Sequence, residues 1–428
     1  MCQTRRKSSF EVMSRYEALP AALQDFFDGQ YQRAYQLVKD MRHPESGLYY
    51  DAYVAIGQSS LPSSIAATGV GLIALCIGDY NGWEQNAEAQ VIHSLQAMVG
   101  DIPGIKPHKD PGTGFFAHFI DAENGAHRWD SEISTIDTAL LVSGALFAMR
   151  YFQKNDEIAR LAMQLYNSVD WGAAVSNPTT GDIYLEIRKG RGFNPLAPYN
   201  EYSILANMAR GSQTGQQLWE NIYAPDQLHL LPMQCVGAGR RIICETDNIP
   251  SSFVYQFPFY LVHEYTLSPI YQDLYANVAY ADRMDWLQCH NAPTFVWGHG
   301  AGVTPAGHYH PDAIGNNPLS VASPYIIAGF LPVYPQGMYD LYDIYHTLIP
   351  YDKPHRAPRD PVDSIRFQSA YRYGLTRLQI NARDSRPWYP QHTSVIDWSS
   401  MLYGLTAFKH GVEFFARCNQ IQDLLSAS

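Results

Sequence analysis

The feature that most restricts the fold is a pair of helix-length segments that are apolar on nearly every face. They are residues 63–77 (SSIAATGVGLIALCI) and 134–152 (STIDTALLVSGALFAMRYF). A helix without a polar face is buried on all sides. Amphipathic helices are predicted beside them, over residues 19–41, 84–99 and 157–169. Such an alternation is what a closed double ring of helices requires, because one pair of helices cannot cover its own apolar face.

The rest of the chain continues the series of helices. Further helices are predicted over residues 200–210, 270–289, 320–331, 335–348 and 394–411, with a last helix to about residue 425. Long aromatic, Gly- and Pro-rich loops separate them, and loops of this length are usually functional when they are ordered. We therefore predict an all-α barrel, with long loops and a few short strands, such as residues 182–188, at one rim. Residues 1–428 are expected to form one catalytic domain, with residues 1–15 as a flexible tail.

Composition excludes several classes of function. Hydrophobic residues make up 46% of the chain and charged residues 17%, which argues against disorder. The net charge is −11, from 30 Lys and Arg against 41 Asp and Glu, without a basic run, so nucleic-acid binding is not expected. No stretch approaches the ~20 apolar residues of a membrane span. The N-terminus lacks the apolar region of a secretory signal, and six cysteines are scattered without a CxxC pair, so we expect a cytoplasmic protein with no membrane association.

Acidic residues stand at the starts of the predicted inner helices. Asp137 enters the first turn of the apolar helix at residues 134–152, and Asp130 and Glu132 precede it. Ser134-x-x-Asp137 also fits a capping box, in which the acid stabilises the helix terminus and has no chemical role. Asp130 and Glu132 add two charges beyond what one helix cap needs. Because the helix is too apolar to face water, these charges favour a role in a cleft over capping alone.

Two further acids repeat this placement. Glu201 opens a predicted helix between Tyr199 and Tyr202, and Asp397 precedes Trp398 at the start of another. Each also fits a terminal carboxylate that the helix dipole favours. Helices that start at one rim would bring these acids together over the barrel mouth. Glycosidic hydrolysis needs such a pair, one carboxyl protonated and one ionised.

Histidines cluster in one loop, at residues 290, 299, 308 and 310. A metal site is one interpretation, but HExxH and paired Cys/His spacings are missing. We interpret these histidines as loop residues or hydrogen-bond partners of a sugar, and expect neither a metal nor a cofactor. Aromatic residues make up 13% of the chain, and they serve either core packing or the lining of a sugar cleft.

Several motifs resemble those of the glucoamylase-like endo-β-1,2-glucanase group, glycoside hydrolase families 144 and 162 and their relatives. The resemblance spans about residues 114–411. Its motifs are the Gly-Phe…His-Phe segment at 114–125, SEISTIDTALL at 131–141, Tyr199-Asn200-Glu201-Tyr202, Trp297-Gly298, the segment at 321–325 and Val395-Ile396-Asp397. The chain has Trp398-Ser399-Ser400 where the family often has Gln-Gly-Pro.

The resemblance implies an (α/α)6 barrel and inverting hydrolysis of a β-1,2-linked glucan or glucooligosaccharide without a metal. It places the general acid at Glu201 and the general base at Asp397, with Asp137 as a further cleft acid. Glu132, Asp130, Tyr199, Tyr202, Trp297, His299 and Trp398 are the expected sugar-binding residues. A transglycosylase or phosphorylase on the same glucan and a non-catalytic sugar-binding protein are the alternatives.

Overall fold

Six inner helices form a closed ring. The computed structural model describes residues 15–54, 61–245, 248–348, 372–380 and 387–421. The inner helices are α2 (Ile65–Tyr80), α4 (Thr135–Tyr151), α6 (Ser203–Met208), α8 (Phe253–Leu261), α11 (Pro324–Gly329) and α13 (Val395–His410). Each packs against the next, and α13 packs against α2, which closes the ring.

Outer helices surround this ring. They are α1 (Ala21–Asp40), α3 (Ala87–Val99), α5 (Asp156–Asn167), α7 (Gln213–Leu218), α10 (Pro269–Cys289) and α12 (Gly337–Leu348). Two short helices, α9 (His263–Leu267) and α14 (Glu413–Cys418), follow the carboxyl ends of α8 and α13 and pack against each other. The architecture is an (α/α)6 barrel, and the predicted fold class is confirmed.

The two rings differ in burial as their sequences predicted. In α2 every residue from Ile65 to Gly78 is buried, whereas α5 buries only one face.

Glycines let the inner helices touch through their backbones. A Cβ on Gly69 would lie 2.4 Å from the carbonyl oxygen of Leu140, and one on Gly144 would lie 2.2 Å from that of Gly69. Helices α2 and α4 therefore pack too closely at this point for any side chain.

Short strands gather where the inner helices begin. Strands β2 (Ser63–Ser64), β4 (Ile133–Ser134), β12 (Val321–Ala322) and β15 (His392–Ser394) each lead into an inner helix. The predicted strand at 182–188 is confirmed as β6 (Asp182–Arg188), which pairs with β4, β5 (Val175–Asn177) and β7 (Arg191–Leu196). The others are β1 (Ala52–Val54), β3 (Phe119–Ile120), β8 (Met233–Cys235), β9 (Arg241–Ile243), β10 (Ala301–Val303), β11 (Tyr309–Pro311), β13 (Leu378–Ile380) and β14 (Pro387–Trp388).

Three of the described helices, α7, α8 and the short α9, were not predicted from the sequence. Inner helix α8 contains Pro258, which lacks a backbone N–H donor. A proline at this position makes the segment look like a loop in the sequence. Outer helix α7 is short and polar. The predicted helix at 200–210 is shorter, because α6 gives way to a 3-10 turn at Ala209–Gly211. Most of the predicted N-terminal tail (residues 1–14) and the predicted helix end beyond residue 421 lie outside the described residues. None of the described helices is both long and apolar enough to span a bilayer.

Candidate active site

Three of the predicted acids lie at the amino-terminal ends of inner helices. Asp137 and Asp397 are in the first turns of α4 and α13, and Glu201 precedes α6 by two residues. The Ser134 hydroxyl accepts a hydrogen bond from the Asp137 amide at 3.2 Å, so the cap uses the backbone of Asp137. Ser394 makes no side-chain cap on α13. The acidic side chains are therefore available for contacts within the barrel mouth.

Removal from bulk water changes the protonation of two of these acids. Burial, with smaller contributions from the negative charges of Asp137 and Glu245, raises the pKa of Glu201 to about 7. Burial also raises the pKa of Asp397 to about 7, although the positive charge of Arg377 opposes this shift. Both carboxyl groups therefore change charge close to neutral pH, where a general acid and a general base operate best.

Asp51 is a further acid of the mouth that sequence reasoning missed. Strand β1 pairs with β15, and the Val395 amide donates to the Asp51 carbonyl at 2.9 Å, which sets Asp51 beside the start of α13. Burial raises the pKa of Asp51 to about 6, and its negative charge in turn raises the pKa of Asp397. No local sequence pattern points to Asp51. Its position depends on the pairing of β1 with β15, two strands that are far apart in the sequence.

His118 contacts two of the carboxylates at the mouth. Its Nδ1 lies 2.9 Å from Glu132 Oε1 and 3.7 Å from Asp137 Oδ2. Burial alone would lower the pKa of His118, but the charges of Asp137, Glu132 and Asp51 raise it to about 9. The hydrogen bond from His118 lowers the pKa of Glu132. His118, Glu132 and Asp137 are also spaced so that they could hold a metal ion.

Tyr309 and Arg377 complete the mouth. Tyr309 is on the β10–β11 hairpin, and the residue as a whole is 60% exposed. Burial around its hydroxyl group, and then the charges of Asp397, Glu201 and Asp51, raise the pKa of Tyr309. Arg377 is buried, its Nη1 donates to the Gly302 carbonyl of the same hairpin at 2.5 Å, and it pairs with Asp312. The charges of Asp397, Glu201 and Asp51 thus all reach one tyrosine hydroxyl group at the mouth.

The other predicted acids line a neighbouring cleft. A cavity of about 540 Å³ is bounded by Asp130, Glu132, Glu186 and Arg188, among others. Asp130 is exposed, and its φ of 47° is in the left-handed region. Glu132 connects this cleft to the mouth through its contact with His118.

The predicted aromatic contacts lie beneath the rim. Tyr199, Trp297 and Trp398 are fully buried, and Tyr202 is 4% exposed. The Tyr199 hydroxyl bonds that of Tyr271, Trp297 Nε1 donates to Asp340, and Trp398 Nε1 donates to the Ala34 carbonyl. Glu201, Asp137, Asp397 and Glu132 lie at the mouth, whereas Trp297 bonds outer helix α12 and Trp398 bonds outer helix α1. His299 is also fully buried, beside Asp282. Direct sugar contact by the five residues stays a prediction.

Solved structures share this architecture. An endo-β-1,2-glucanase from Chitinophaga pinensis, in complex with sophorotriose and glucose, has a TM-score of 0.73 and 16% identity over 95% of this chain and 98% of that one. A β-1,2-glucanase from Parabacteroides distasonis has a TM-score of 0.70 and 13% identity over 95% of this chain, which spans 60% of that protein. Hormoconis resinae glucoamylase is more distant, with a TM-score of 0.52 and 9% identity over 91% of this chain and 74% of its own.

No family model matches the chain, and no curated protein matches its sequence. Identities of 9–16% show a common fold. The predicted resemblance to glucoamylase-like proteins and β-1,2-glucanases is confirmed at that level.

Proposed function

We propose that the protein is a glycoside hydrolase that cleaves a β-1,2-linked glucan or glucooligosaccharide with inversion. The observation that carries the proposal is the placement of Glu201, Asp137 and Asp397 at the amino-terminal ends of inner helices, where the pKa values of Glu201 and Asp397 are raised to about 7. Strongly perturbed carboxyl groups in one mouth are typical of active sites. A sugar-binding protein would not need them.

In this proposal Glu201 is the general acid. A proton donor has to keep its proton until the glycosidic oxygen accepts it, and burial beside Asp137 favours the protonated form of Glu201. Glu201 precedes α6 by two residues, at the same end of the inner ring as Asp137 and Asp397. Proton transfer from a positioned group accounts for about 10²–10⁴-fold of the rate.

Asp397 is the proposed general base. The positive charge of Arg377 favours the ionised carboxylate of Asp397 and outweighs the opposing charge of Asp51, whereas the charges that act on Glu201 are all negative. This difference separates the roles of two carboxyls with similar pKa values. In an inverting enzyme, the base activates water on the face of the sugar opposite the acid.

Asp137, His118 and Glu132 are proposed to bind sugar hydroxyl groups. The imidazolium of His118 offers donors, and the two carboxylates offer acceptors, within one hydrogen-bonded group. The choice of a β-1,2-glucan as substrate is supported by the barrel shared with the Chitinophaga and Parabacteroides glucanases.

The test is incubation with linear β-1,2-glucan, β-1,3-glucan and starch, with the products resolved over time. We expect shorter oligosaccharides from β-1,2-glucan, released first as the α anomer. Parallel reactions with and without phosphate distinguish hydrolysis from phosphorolysis, and longer products would indicate transglycosylation. Binding of β-1,2-glucan without any product would contradict the proposal and favour the sugar-binding alternative.

A further inference from the structure

A second group of histidine and aspartate side chains lies at the end of outer helix α10. Asp282 and Asp285 are one turn apart on that helix, and His290 follows its last residue. His299 comes from the loop that leads to β10 and is fully buried. His299 Nε2 lies 3.1 Å from Asp285 Oδ2, and His290 Nε2 lies 3.6 Å from the same oxygen.

We propose that Asp285, His290 and His299 bind a divalent transition-metal ion, with zinc as the best match. The three donor atoms lie within 4.8 Å of one another. Zinc takes imidazole nitrogen and carboxylate oxygen at about 2.0–2.2 Å, so tetrahedral ligands stand about 3.3–3.6 Å apart. The separation of 3.6 Å fits this spacing, and that of 3.1 Å lies within about 0.2 Å of it.

The surroundings orient His299 as a ligand. Its Nδ1 lies 2.9 Å from Asp282 Oδ1, and because a carboxylate accepts, Nδ1 carries the proton. Nε2, which is also buried, faces Asp285 Oδ2 at 3.1 Å, where either a proton or a metal ion joins the two atoms. A carboxylate behind a histidine is the usual outer-shell arrangement of a metal site.

Asp282 is itself fixed. The Ser252 hydroxyl donates to its Oδ2 at 2.5 Å, and the backbone amide of His299 donates to the same oxygen at 2.9 Å. His290 is held at its other nitrogen by the Ser320 hydroxyl, 2.9 Å away, and its ring packs on Trp286 with centroids 4.2 Å apart. The site is therefore built from positioned side chains, and only its fourth coordination position is left to water.

The proposed metal would anchor the hairpin that carries Tyr309. His299 is two residues before β10, so a bond at His299 fastens the hairpin to helix α10. This role is structural and does not depend on the proposed hydrolysis. It replaces the sequence-based expectation that the protein binds no metal.

The competing occupant is a proton on Nε2, which would make His299 an imidazolium between Asp282 and Asp285.

The experiment uses the full chain without an affinity tag, stripped with chelator and then dialysed against Zn²⁺ or Co²⁺. Bound metal is counted by mass spectrometry, tetrahedral Co²⁺ is detected by its visible absorption, and melting is followed with and without Zn²⁺. His290→Ala removes the ligand at the edge of the site, and His308→Ala is the control in the same loop.

We expect about one equivalent of metal, a tetrahedral Co²⁺ spectrum and a melting temperature that Zn²⁺ raises. His290→Ala should bind at least about 10-fold more weakly, since even outer-shell changes cost 10–100-fold, and His308→Ala should match the wild type. Two results would overturn the proposal: no stoichiometric metal in the wild type, or equal binding by the wild type and His290→Ala.

Discussion

Two histidines of this protein lie between carboxylates, one at the barrel mouth and one beside α10. Neighbouring negative charges overcome burial and raise the pKa of both His118 and His299 to about 9. The acids around them differ. At the mouth, burial raises the pKa of Glu201 and Asp397 to about 7, whereas hydrogen bonds from His290 and His299 outweigh burial and hold the pKa of Asp285 far below its usual range.

This difference separates two uses of the same residue types. A carboxylate whose charge is satisfied by its neighbours stays ionised and binds or holds structure. A carboxyl group that burial leaves poorly satisfied can exchange a proton near neutral pH. Changes at the mouth should therefore alter turnover with little effect on melting, and changes beside α10 should alter metal binding and melting.

The largest expected effect is that of Glu201→Gln. The amide keeps the shape of the side chain but has no acidic proton, so kcat on β-1,2-glucan should fall by about 10²–10⁴-fold. Initial rates of product formation measure this, and circular dichroism checks the fold. Glu220→Gln changes an exposed glutamate on the surface and should keep full activity. Near-wild-type turnover in Glu201→Gln would remove this residue from the mechanism.

Asp397→Asn should cause a loss of about 10²-fold or more in kcat while the glucan still binds, because the base acts on water and not on sugar affinity. Calorimetric titration of the variant with β-1,2-glucan measures the retained binding. For the wild type, nuclear magnetic resonance of fresh product should show the α anomer first. Release of the β anomer would contradict inversion. An active Asp397→Asn variant would move the base to Asp137, Asp130 or Glu132.

The sequence allowed the rim acids to be predicted, because an acid in the first turn of an otherwise apolar helix is a local pattern. Asp137 and Asp397 were found in this way. Asp51 and Tyr309 reach the mouth through strand pairing and a hairpin, which leave no local pattern. Inner helix α8 was missed because Pro258 is a typical helix breaker, although here neighbouring inner helices bury the segment on all sides.

Asp137→Asn should lower activity by roughly 10-fold, because it removes an acceptor for a sugar hydroxyl and a negative charge that favours protonated Glu201. Stability should change by less than about 1 kcal/mol, since the cap on α4 uses the backbone amide of residue 137, which asparagine keeps. Thermal melting and kcat/KM are compared. A variant that melts much lower but keeps its rate when folded would show that Asp137 serves only as a cap.

The smallest effect tests how the acids of the mouth interact. The profile of kcat/KM against pH should be bell-shaped around pH 7, since the base has to lose its proton and the acid has to keep one. Because the acids of the mouth interact, the two limbs of the profile give apparent pKa values of the coupled groups. The charge of Asp51 raises the pKa of Asp397. Without this charge, Asp397 ionises at lower pH.

Asp51→Asn should therefore move the acidic limb toward lower pH, by a few tenths to about one pKa unit. The alkaline limb should stay in place, because it follows the proton on Glu201, whose pKa is set by burial, Asp137 and Glu245. Asp273→Asn, at an exposed position of α10, is the matched control and should leave both limbs unchanged. If Asp51→Asn moved the alkaline limb alone, the base would not be Asp397, because the carboxyl that senses Asp51 would then be the proton donor.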